Sequence, residues 1–137
     1  MERHNVSSSA EWESAVGYSR AVRIGPHVHV AGTVATDANG TLVKTDDPYK
    51  QTVQAIKNIR QVLHDAGAAL NDVIRTRMYV SDIDQWRQIG KAHGEFFGKI
   101  RPVTTMVEVG RLIETEAKVE IEADAYVLRN ERTNTKR

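Results

Sequence analysis

The chain has 137 residues, of which 40% are hydrophobic and 27% charged, as expected for one globular domain with an ordinary core. Nineteen Lys and Arg against 18 Asp and Glu give a net charge of +1, so no global basic field favours binding to nucleic acid or to a membrane. The chain contains no cysteine, which excludes disulfides, thiolate metal sites and a cysteine nucleophile.

Both ends of the chain are polar. Residues 1–15 are Ser-rich and predict a loosely held N-terminal arm, and residues 129–137 predict a disordered basic tail. Between them, residues 16–128 are expected to form a single domain. No apolar run has the length of a membrane span and the start of the chain lacks the apolar core of a signal peptide, so we expect a cytoplasmic protein.

The first half of the domain predicts a β-hairpin followed by a helix. Two short β-type stretches, residues 21–24 and 27–33, flank a Gly-Pro turn signal. Asp47 is suited to cap a helix, apolar residues then recur at helical spacing, and Gly67 is suited to end it. On the second stretch, the residues that alternation places on one side are Val28, Val30 and Gly32.

The second half predicts three more strands and another helix. Residues 73–80 alternate, with Ile74, Thr76, Met78 and Val80 expected on the inner face. An apolar stripe over 86–100 predicts the helix, and residues 101–127 predict two strands. The buried face of the last strand is predicted to carry Val119, Ile121, Ala123, Ala125 and Val127. The order β-β-α-β-α-β-β predicts an α+β domain with both helices on one face of a mixed sheet.

The sheet face away from the helices is expected to be densely charged. The residues that alternation places there are Arg75, Arg77, Glu108, Glu120, Glu122 and Asp124. Three carboxylates in a row on one strand repel each other unless cations or a polar cleft meet them. The charge pattern alone favours a ladder of ion pairs facing solvent. The other interpretation is that copies of the domain associate through this face and leave clefts between them.

Other possible sites find little support in the residues. His27 and His29 share a strand face, but no third ligand lies near them in the sequence, so we expect no metal site. His93 falls on the buried stripe of the second helix and is expected to be a packed histidine. The chain has no phosphate loop, no GxSxG elbow and no interleaving of basic and aromatic residues, so no nucleic-acid partner is expected.

Five segments, taken in order over about residues 16–127, resemble the RidA/YjgF family, also called L-PSP. They are Gly-Tyr-Ser-Arg-Ala-Val (17–22), Val-Ala-Gly-Thr (30–33), Leu-His-Asp-Ala-Gly (63–67), Pro-Val-Thr-Thr-Met-Val-Glu-Val (102–109) and Lys-Val-Glu-Ile-Glu-Ala (118–123). The resemblance implies the chorismate-mutase-like fold and a homotrimer with clefts at the subunit interfaces. It also implies hydrolysis of reactive imines or enamines, such as 2-iminopropanoate and 2-aminoacrylate, to 2-keto acids and ammonia, without a metal or an organic cofactor.

The same resemblance suggests roles for individual residues. Glu120 matches the glutamate that positions or activates water and is the expected catalytic residue. Met106 matches a site cysteine whose backbone contacts the ligand, and Thr33 stands at a family glutamine. The residues expected to bind the substrate are Tyr18, Gly32, Thr33, Thr104 and Met106.

One departure from the family pattern concerns its Pro-Ala-Arg-Ser motif, in which the arginine binds the substrate carboxylate through two parallel charge-assisted hydrogen bonds. Thr104 stands at that position, and its hydroxyl offers one neutral hydrogen bond. The loss should cost on the order of 2–5 kcal/mol of binding for a carboxylate ligand. Arg101 and Arg111 flank the strand and could supply a displaced cation, although both are expected at the surface. Gly17 replaces a family proline and Ala31 a family serine.

The leading function is therefore hydrolysis of an imine or enamine other than 2-iminopropanoate, with a small-molecule substrate and copies of the chain itself as partners. The main alternative is a trimer that binds a small metabolite in the same clefts without catalysis. A third possibility is a protein-interaction or chaperone-like trimer, for which the clefts would be dispensable.

Overall fold

The computed structural model describes residues 2–8 and 10–128, so the predicted tail at 129–137 lies outside the described residues. The strands in this part of the chain are β1 (Arg3–Val6), β2 (Ala21–Ile24), β3 (His27–Thr33), β4 (Val73–Val80), β5 (Val103–Glu108) and β6 (Val119–Tyr126). The α-helices are α1 (Glu11–Val16), α2 (Pro48–Asp65) and α3 (Trp86–Phe97), with one-turn 3₁₀ helices at Leu70–Asp72 and Ile83–Gln85.

The strands form one mixed sheet in the order β1-β2-β3-β6-β4-β5. The predicted hairpin is present, because β2 pairs antiparallel with β3. Strand β5 runs parallel to β4, to which α3 connects it, and the other neighbouring pairs are antiparallel. The α+β class and the mixed sheet are thus confirmed. No helix of the described residues is both long enough and apolar enough to cross a membrane.

Helices α2 and α3 cover the same face of the sheet, as predicted. The carboxylate of Asp47 accepts hydrogen bonds from the first backbone amides of α2, and Gly67, at φ 79°, follows its last turn. The core that the helices form with the sheet is made of buried aliphatic and aromatic residues, among them Val28, Ile56, Ile59, Leu63, Ile89, Phe97 and Ile121. The predicted buried face of β6 is confirmed, because Val119, Ile121, Ala123 and Ala125 are each at most 3% exposed.

Two irregularities of the sheet place side chains on the face opposite to the one that alternation predicts. The register of β4 against β6 shifts between Val73 and Arg75, so Val73 enters the core and Ile74 is 56% exposed. The register of β3 against β6 shifts between Val30 and Thr33, so Gly32 turns to the polar face. An extra residue in one strand moves each following side chain to the other face, which no periodic pattern reveals.

Glu108 was also assigned to the wrong face. It lies opposite Val80 in the parallel β4–β5 pair and therefore on the helix side of the sheet. There its carboxylate accepts a hydrogen bond from the backbone amide of Ile83, 3.1 Å away, at the turn that leads into α3. The parallel pairing with β4, which is not a local property of the sequence, decides this orientation.

The N-terminal segment, predicted to be a polar arm, contains a strand of the sheet and a short helix. Strand β1 pairs antiparallel with β2, and Val6 joins the core. Glu13, on α1, is 7% exposed and accepts hydrogen bonds from the backbone amide and the hydroxyl of Ser8. Gly17 ends α1 at φ 89°, a conformation that a proline could not adopt. Glycine at this position, where the resembled family has proline, is therefore consistent with the short helix before it.

One buried polar side chain ties α2 to the entry of β6. Gln51 has no exposed surface. Its amide nitrogen donates to the carbonyl oxygens of Thr45, at 3.0 Å, and Glu116, at 3.1 Å, and its oxygen accepts from the amide of Lys118, at 2.7 Å. Because Lys118 directly precedes β6, Gln51 helps to determine where that strand begins.

We expect Gln51→Ala to lower the free energy of unfolding by roughly 2–4 kcal/mol, because it leaves three backbone groups without their partner and opens a cavity. Urea denaturation followed by circular dichroism measures the change. Gln61→Ala on the same helix is the control: Gln61 is exposed and bonds only Asp65, so its loss should cost less than about 0.5 kcal/mol. Equal effects of the two substitutions would contradict the assigned role of Gln51.

Candidate functional site

The face of the sheet opposite α2 and α3 carries the predicted ladder of charges. The cross-strand pairs of β4 and β6 are Arg75–Asp124, Arg77–Glu122 and Tyr79–Glu120. The Arg77 guanidinium lies 3.2 Å from the Asp124 carboxylate and 3.8 Å from that of Glu122, and the Tyr79 hydroxyl donates to Glu122 at 2.9 Å. These groups are half-exposed, so the ion pairs contribute little to stability. They do hold the carboxylates that flank Glu120 on β6.

Glu120 differs from its neighbours on β6. It is half-buried and its carboxylate has no hydrogen-bond partner among the described residues, whereas Glu122 and Asp124 are both paired. Burial raises the pKa of Glu120 above its ordinary value, the Arg20 guanidinium opposes that rise, and the charge of Glu122 adds to it. A carboxylate that is unpaired and more basic than usual can accept a proton and later return it.

Glycine at position 32 gives this carboxylate its space. A Cβ on Gly32 would lie 2.9 Å from the side-chain Cδ of Glu120 and closer still to its Oε2. The β3 irregularity turns Gly32 towards Glu120, so the two predicted site residues are brought together. Both line a depression of about 320 Å³, to which the residues Tyr79, Arg111, Leu112 and Glu122 also contribute.

Arg20 and Arg111 are the two cations near Glu120 that the site prediction did not include. Arg20 Nη2 donates to the carbonyl oxygens of Ala31 and Gly32 and to the Thr33 hydroxyl, at 3.2, 2.9 and 2.7 Å, and so holds the irregular end of β3. It lies within the resembled segment 17–22, which is the signal that could have identified it. Arg111, which the sequence suggested as a possible displaced cation but placed at the surface, lines the Glu120 depression.

Tyr18 lies on the same face of the sheet but in a neighbouring depression of about 650 Å³. This second depression is also lined by Arg77, Glu122 and Asp124, so Glu122 borders both. Thr33 does not face either one: it is 6% exposed and its hydroxyl donates to the carbonyl oxygen of Ala31. Within one chain, Thr33 therefore supports the backbone and Tyr18 borders the polar face.

Thr104 and Met106 lie on the other side of the sheet. Across the β4–β5 pair they stand opposite Thr76 and Met78, which face the helices. Met106 packs against the core, and the exposed Thr104 lies on β5, one of the two edge strands of the sheet. A single copy of the chain thus does not bring these two predicted residues together with Glu120.

Three histidines, His27, His29 and His93, contact other side chains. The imidazole of His29 contacts the Asp124 carboxylate at 2.7 Å, and His27 makes an edge contact with the ring of Tyr126. Half-buried His93 stacks on Phe97, and burial lowers its pKa. Within residues 2–8 and 10–128, no three His, Asp or Glu side chains are grouped so that they could hold a metal ion.

Comparison with known proteins identifies the family. The family model described as Endoribonuclease L-PSP matches residues 8–127. A RutC family protein of Pyrococcus abyssi is 35% identical over 109 residues, which are 80% of this chain and 85% of the relative. The chain belongs to the RidA/YjgF family. An uncharacterized protein of Streptomyces coelicolor is 36% identical over 121 residues, 88% of this chain and 90% of that protein.

Solved structures agree with this assignment. A member of the YjgF/YER057c/UK114 family from Mycobacterium tuberculosis is 56% identical, with a TM-score of 0.84 over 92% of this chain and all of the other. The YjgF gene product of E. coli is 24% identical and has a TM-score of 0.76, over 89% of this chain and 93% of the other. At that identity the second match shows the fold alone, and it agrees with the expected RidA/YjgF architecture.

We expect Glu120→Gln to raise the melting temperature at pH 7. A carboxyl whose pKa is raised on folding favours the fold most when protonated, and this advantage is lost as the pH rises through the folded pKa. Glutamine stays neutral throughout, so the gain over the unchanged protein should vanish below the ordinary value of 4.5. Calorimetry at several pH values measures it, with Glu116→Gln controlling for the change in net charge at an exposed site. A gain in melting temperature that did not depend on pH would contradict the raised pKa of Glu120.

Proposed function

We propose that this RidA/YjgF family member hydrolyses a reactive imine or enamine to a carbonyl compound and ammonia, with Glu120 as general base. The observation that carries the proposal is the half-buried, unpaired Glu120 carboxylate with its raised pKa, placed against Gly32 in an open depression. Glu120 takes a proton from water as the water oxygen attacks the imine carbon. The carboxylic acid so formed protonates the nitrogen of the adduct, which gives a neutral carbinolamine and restores the carboxylate. Glu120 then takes the hydroxyl proton of the carbinolamine and passes it to the amino nitrogen, the C=O bond forms as the C–N bond breaks, and ammonia leaves.

The catalytic cleft is inferred to form between copies of the chain in a homotrimer. Strand β5 is an open sheet edge on which Val103 is 57% and Val107 41% exposed, a surface that soluble proteins normally cover. Thr104 lies on this edge, whereas Glu120 lies on the polar face. Docking the β5 edge of one copy against the polar face of the next would unite the two halves of the site.

The substrate is inferred to differ from 2-iminopropanoate. Thr104 stands where the resembled family carries a carboxylate-binding arginine, and a threonine hydroxyl brings no charge. A substrate that is bound poorly at this end also loses orientation, so its imine carbon would not be presented to water near Glu120. Arg111 is the cation that lines the Glu120 depression.

We expect Glu120→Gln to lower ammonia release at least about 100-fold, because the substitution keeps the shape of the side chain and removes the base. The assay follows imines generated in the cuvette by an amino acid oxidase from a panel of amino acids, against a buffer blank. Sedimentation should give about three times 15.3 kDa for the unchanged protein and the variant alike. Glu116→Gln is the control for removal of an exposed carboxylate.

Unchanged turnover in Glu120→Gln would assign this residue to the charge ladder and would remove the proposed mechanism. A trimer that binds small metabolites but releases no ammonia from any imine of the panel would favour the non-catalytic binding function. A stable monomer of 15.3 kDa would contradict a site between subunits.

We expect the unchanged protein to hydrolyse 2-iminopropanoate at a rate close to the blank, and Thr104→Arg to raise the rate measurably by providing a bidentate partner for the carboxylate. The gain should be partial, since the neighbouring Val103 and Met106 accommodate a threonine and not a longer, charged side chain. Thr105→Arg adds the same charge to the neighbouring position, whose side chain points to the opposite face of β5, and should give no gain. Robust activity of the unchanged protein, abolished by Arg111→Met, would instead show that Arg111 anchors the carboxylate.

A further inference from the structure

On the helix side of the sheet, a line of hydrogen bonds runs from α3 across β4 to the edge strand β5. Thr76, on β4, donates from Oγ1 to Thr104 Oγ1 at 2.7 Å, and the same oxygen lies 2.9 Å from Nε2 of His93. We call Thr104, Thr76 and His93 the hydroxyl relay. Its inner members are held in place, because Thr76 is 1% exposed and the His93 ring stacks on Phe97 with the ring centres 4.6 Å apart. Only Thr104, at the outer end, is exposed.

Counting protons shows what Thr104 can offer to a ligand. A hydroxyl has one proton, and that of Thr76 is used towards Thr104, so Thr76 must accept from a protonated Nε2 of His93. The proton of Thr104 is then free to point outwards. If the ring proton of His93 moves to Nδ1, every bond of the relay reverses, and Thr104 presents a lone pair instead. The outer end can therefore donate or accept one neutral hydrogen bond.

The relay brings no positive charge to this position. Burial lowers the pKa of His93, with no charged neighbour acting on it, so the imidazole is neutral at pH 7. Glu108 lies on the same side of β5 but four residues away, where its carboxylate accepts from the Ile83 amide. A carboxylate beside Thr104 would lose its hydration without gaining a cationic partner from the relay. Removing a neutral polar group from water costs much less free energy.

We propose that Thr104, held by Thr76 and His93, is the specificity-determining residue of the cleft and selects a neutral carbonyl or carboxamide group in place of a carboxylate. A carboxamide carries both an acceptor oxygen and a donor N–H, so it matches either direction of the relay. Because Thr76 and His93 orient the hydroxyl before the ligand arrives, little ordering is required on binding. His93 is here a positioning residue, since it acts on the ligand only through the two threonines.

This inference rests on the proposed function and names its substrate class, an imine or enamine with a neutral polar group beside the reacting carbon. For the simplest carboxamide member, 2-iminopropanamide and water give 2-oxopropanamide and ammonia. Water supplies the carbonyl oxygen and two protons to the nitrogen, and no oxidant or reductant is needed. The product is stable and has the same shape as 2-oxopropanoate, so the two form a matched pair of probes that differ in charge.

The test is to titrate the isotope-labelled protein with 2-oxopropanamide and with 2-oxopropanoate at pH 7 and to follow backbone and His93 ring signals by NMR. The unchanged protein should bind the amide roughly tenfold more tightly than the acid. Thr104→Val keeps the size of the side chain and removes the hydroxyl, so the preference should disappear. Thr105→Val, which makes the same change on the opposite face of the strand, should keep it.

His93 is tested by a pair of substitutions. His93→Leu removes the inner end of the relay and should lower the amide-to-acid ratio, whereas His93→Gln retains an N–H that can donate to Thr76 and should restore it. Melting curves show whether each variant is folded, and since both ligands meet the same protein, their ratio does not respond to a general loss of packing. Thr104→Arg should reverse the ratio in favour of the acid.

The inference would be overturned if the unchanged protein bound the two probes equally or bound the acid more tightly. It would also be overturned if neither probe bound at a concentration of about 10 mM, since the relay requires a weak but measurable affinity. An unaltered ratio in Thr104→Val would overturn it as well. The readout needs no turnover, so it separates the two proposals. A clear amide preference in a protein that hydrolyses no imine would overturn only the hydrolysis. Hydrolysis without the preference would overturn only the role of the relay.

Discussion

Strand β6 lies at the centre of the sheet between β3 and β4, and the rest of the structure depends on its two unlike faces. One face is wholly apolar and is buried under α2 and α3. The other carries Glu120, Glu122 and Asp124, which would repel each other without the cations and hydroxyl groups that β3 and β4 bring beside them. The burial of the apolar face therefore forces the carboxylates into a row, and the neighbouring strands decide which of them is neutralised.

Of the three carboxylates on β6, Glu120 is therefore the one that is available to exchange protons. Asp124 is paired with His29 and Arg77, and Glu122 accepts from Tyr79, whereas the Glu120 carboxylate has no hydrogen-bond partner among the described residues. The space around it exists because the β3 irregularity presents Gly32, without a side chain, at the same level. A deviation from regular pairing thus creates the depression, as irregularities in sheets often do near functional sites.

The residues of the proposed site lie on two sides of the sheet. Glu120, Gly32 and Arg111 lie on the polar face, and the hydroxyl relay ends at Thr104 on the free edge. Neither group by itself would be complete as the proposed site: the first has a half-buried carboxylate and a cation, and the second has a neutral hydrogen-bonding group. The proposed association of copies would unite them, and burial of the exposed apolar residues of β5 would favour it.

Much of the fold could be predicted because its signals are local. The cap at Asp47, the glycine after α2 and the unbroken alternation of β6 each depend on a few neighbouring residues, so the helices, the hairpin and the buried face of β6 were confirmed. The family resemblance likewise rested on short segments in a fixed order, and the comparisons confirmed the family. Glu120 could be singled out for the same reason, since it falls within one of those segments.

The tertiary structure alone decided which residues meet. Alternation placed Ile74, Gly32 and Glu108 on the wrong faces, because one-residue shifts in register and the parallel pairing of β5 depend on partner strands far away in the sequence. For the same reason no local pattern could show that Arg20 holds the backbone beside Glu120, or that His93 reaches Thr104 through Thr76. The sequence by itself determined the family, the elements and the polar character of one face. Contacts between distant strands and helices determined the geometry of the candidate site.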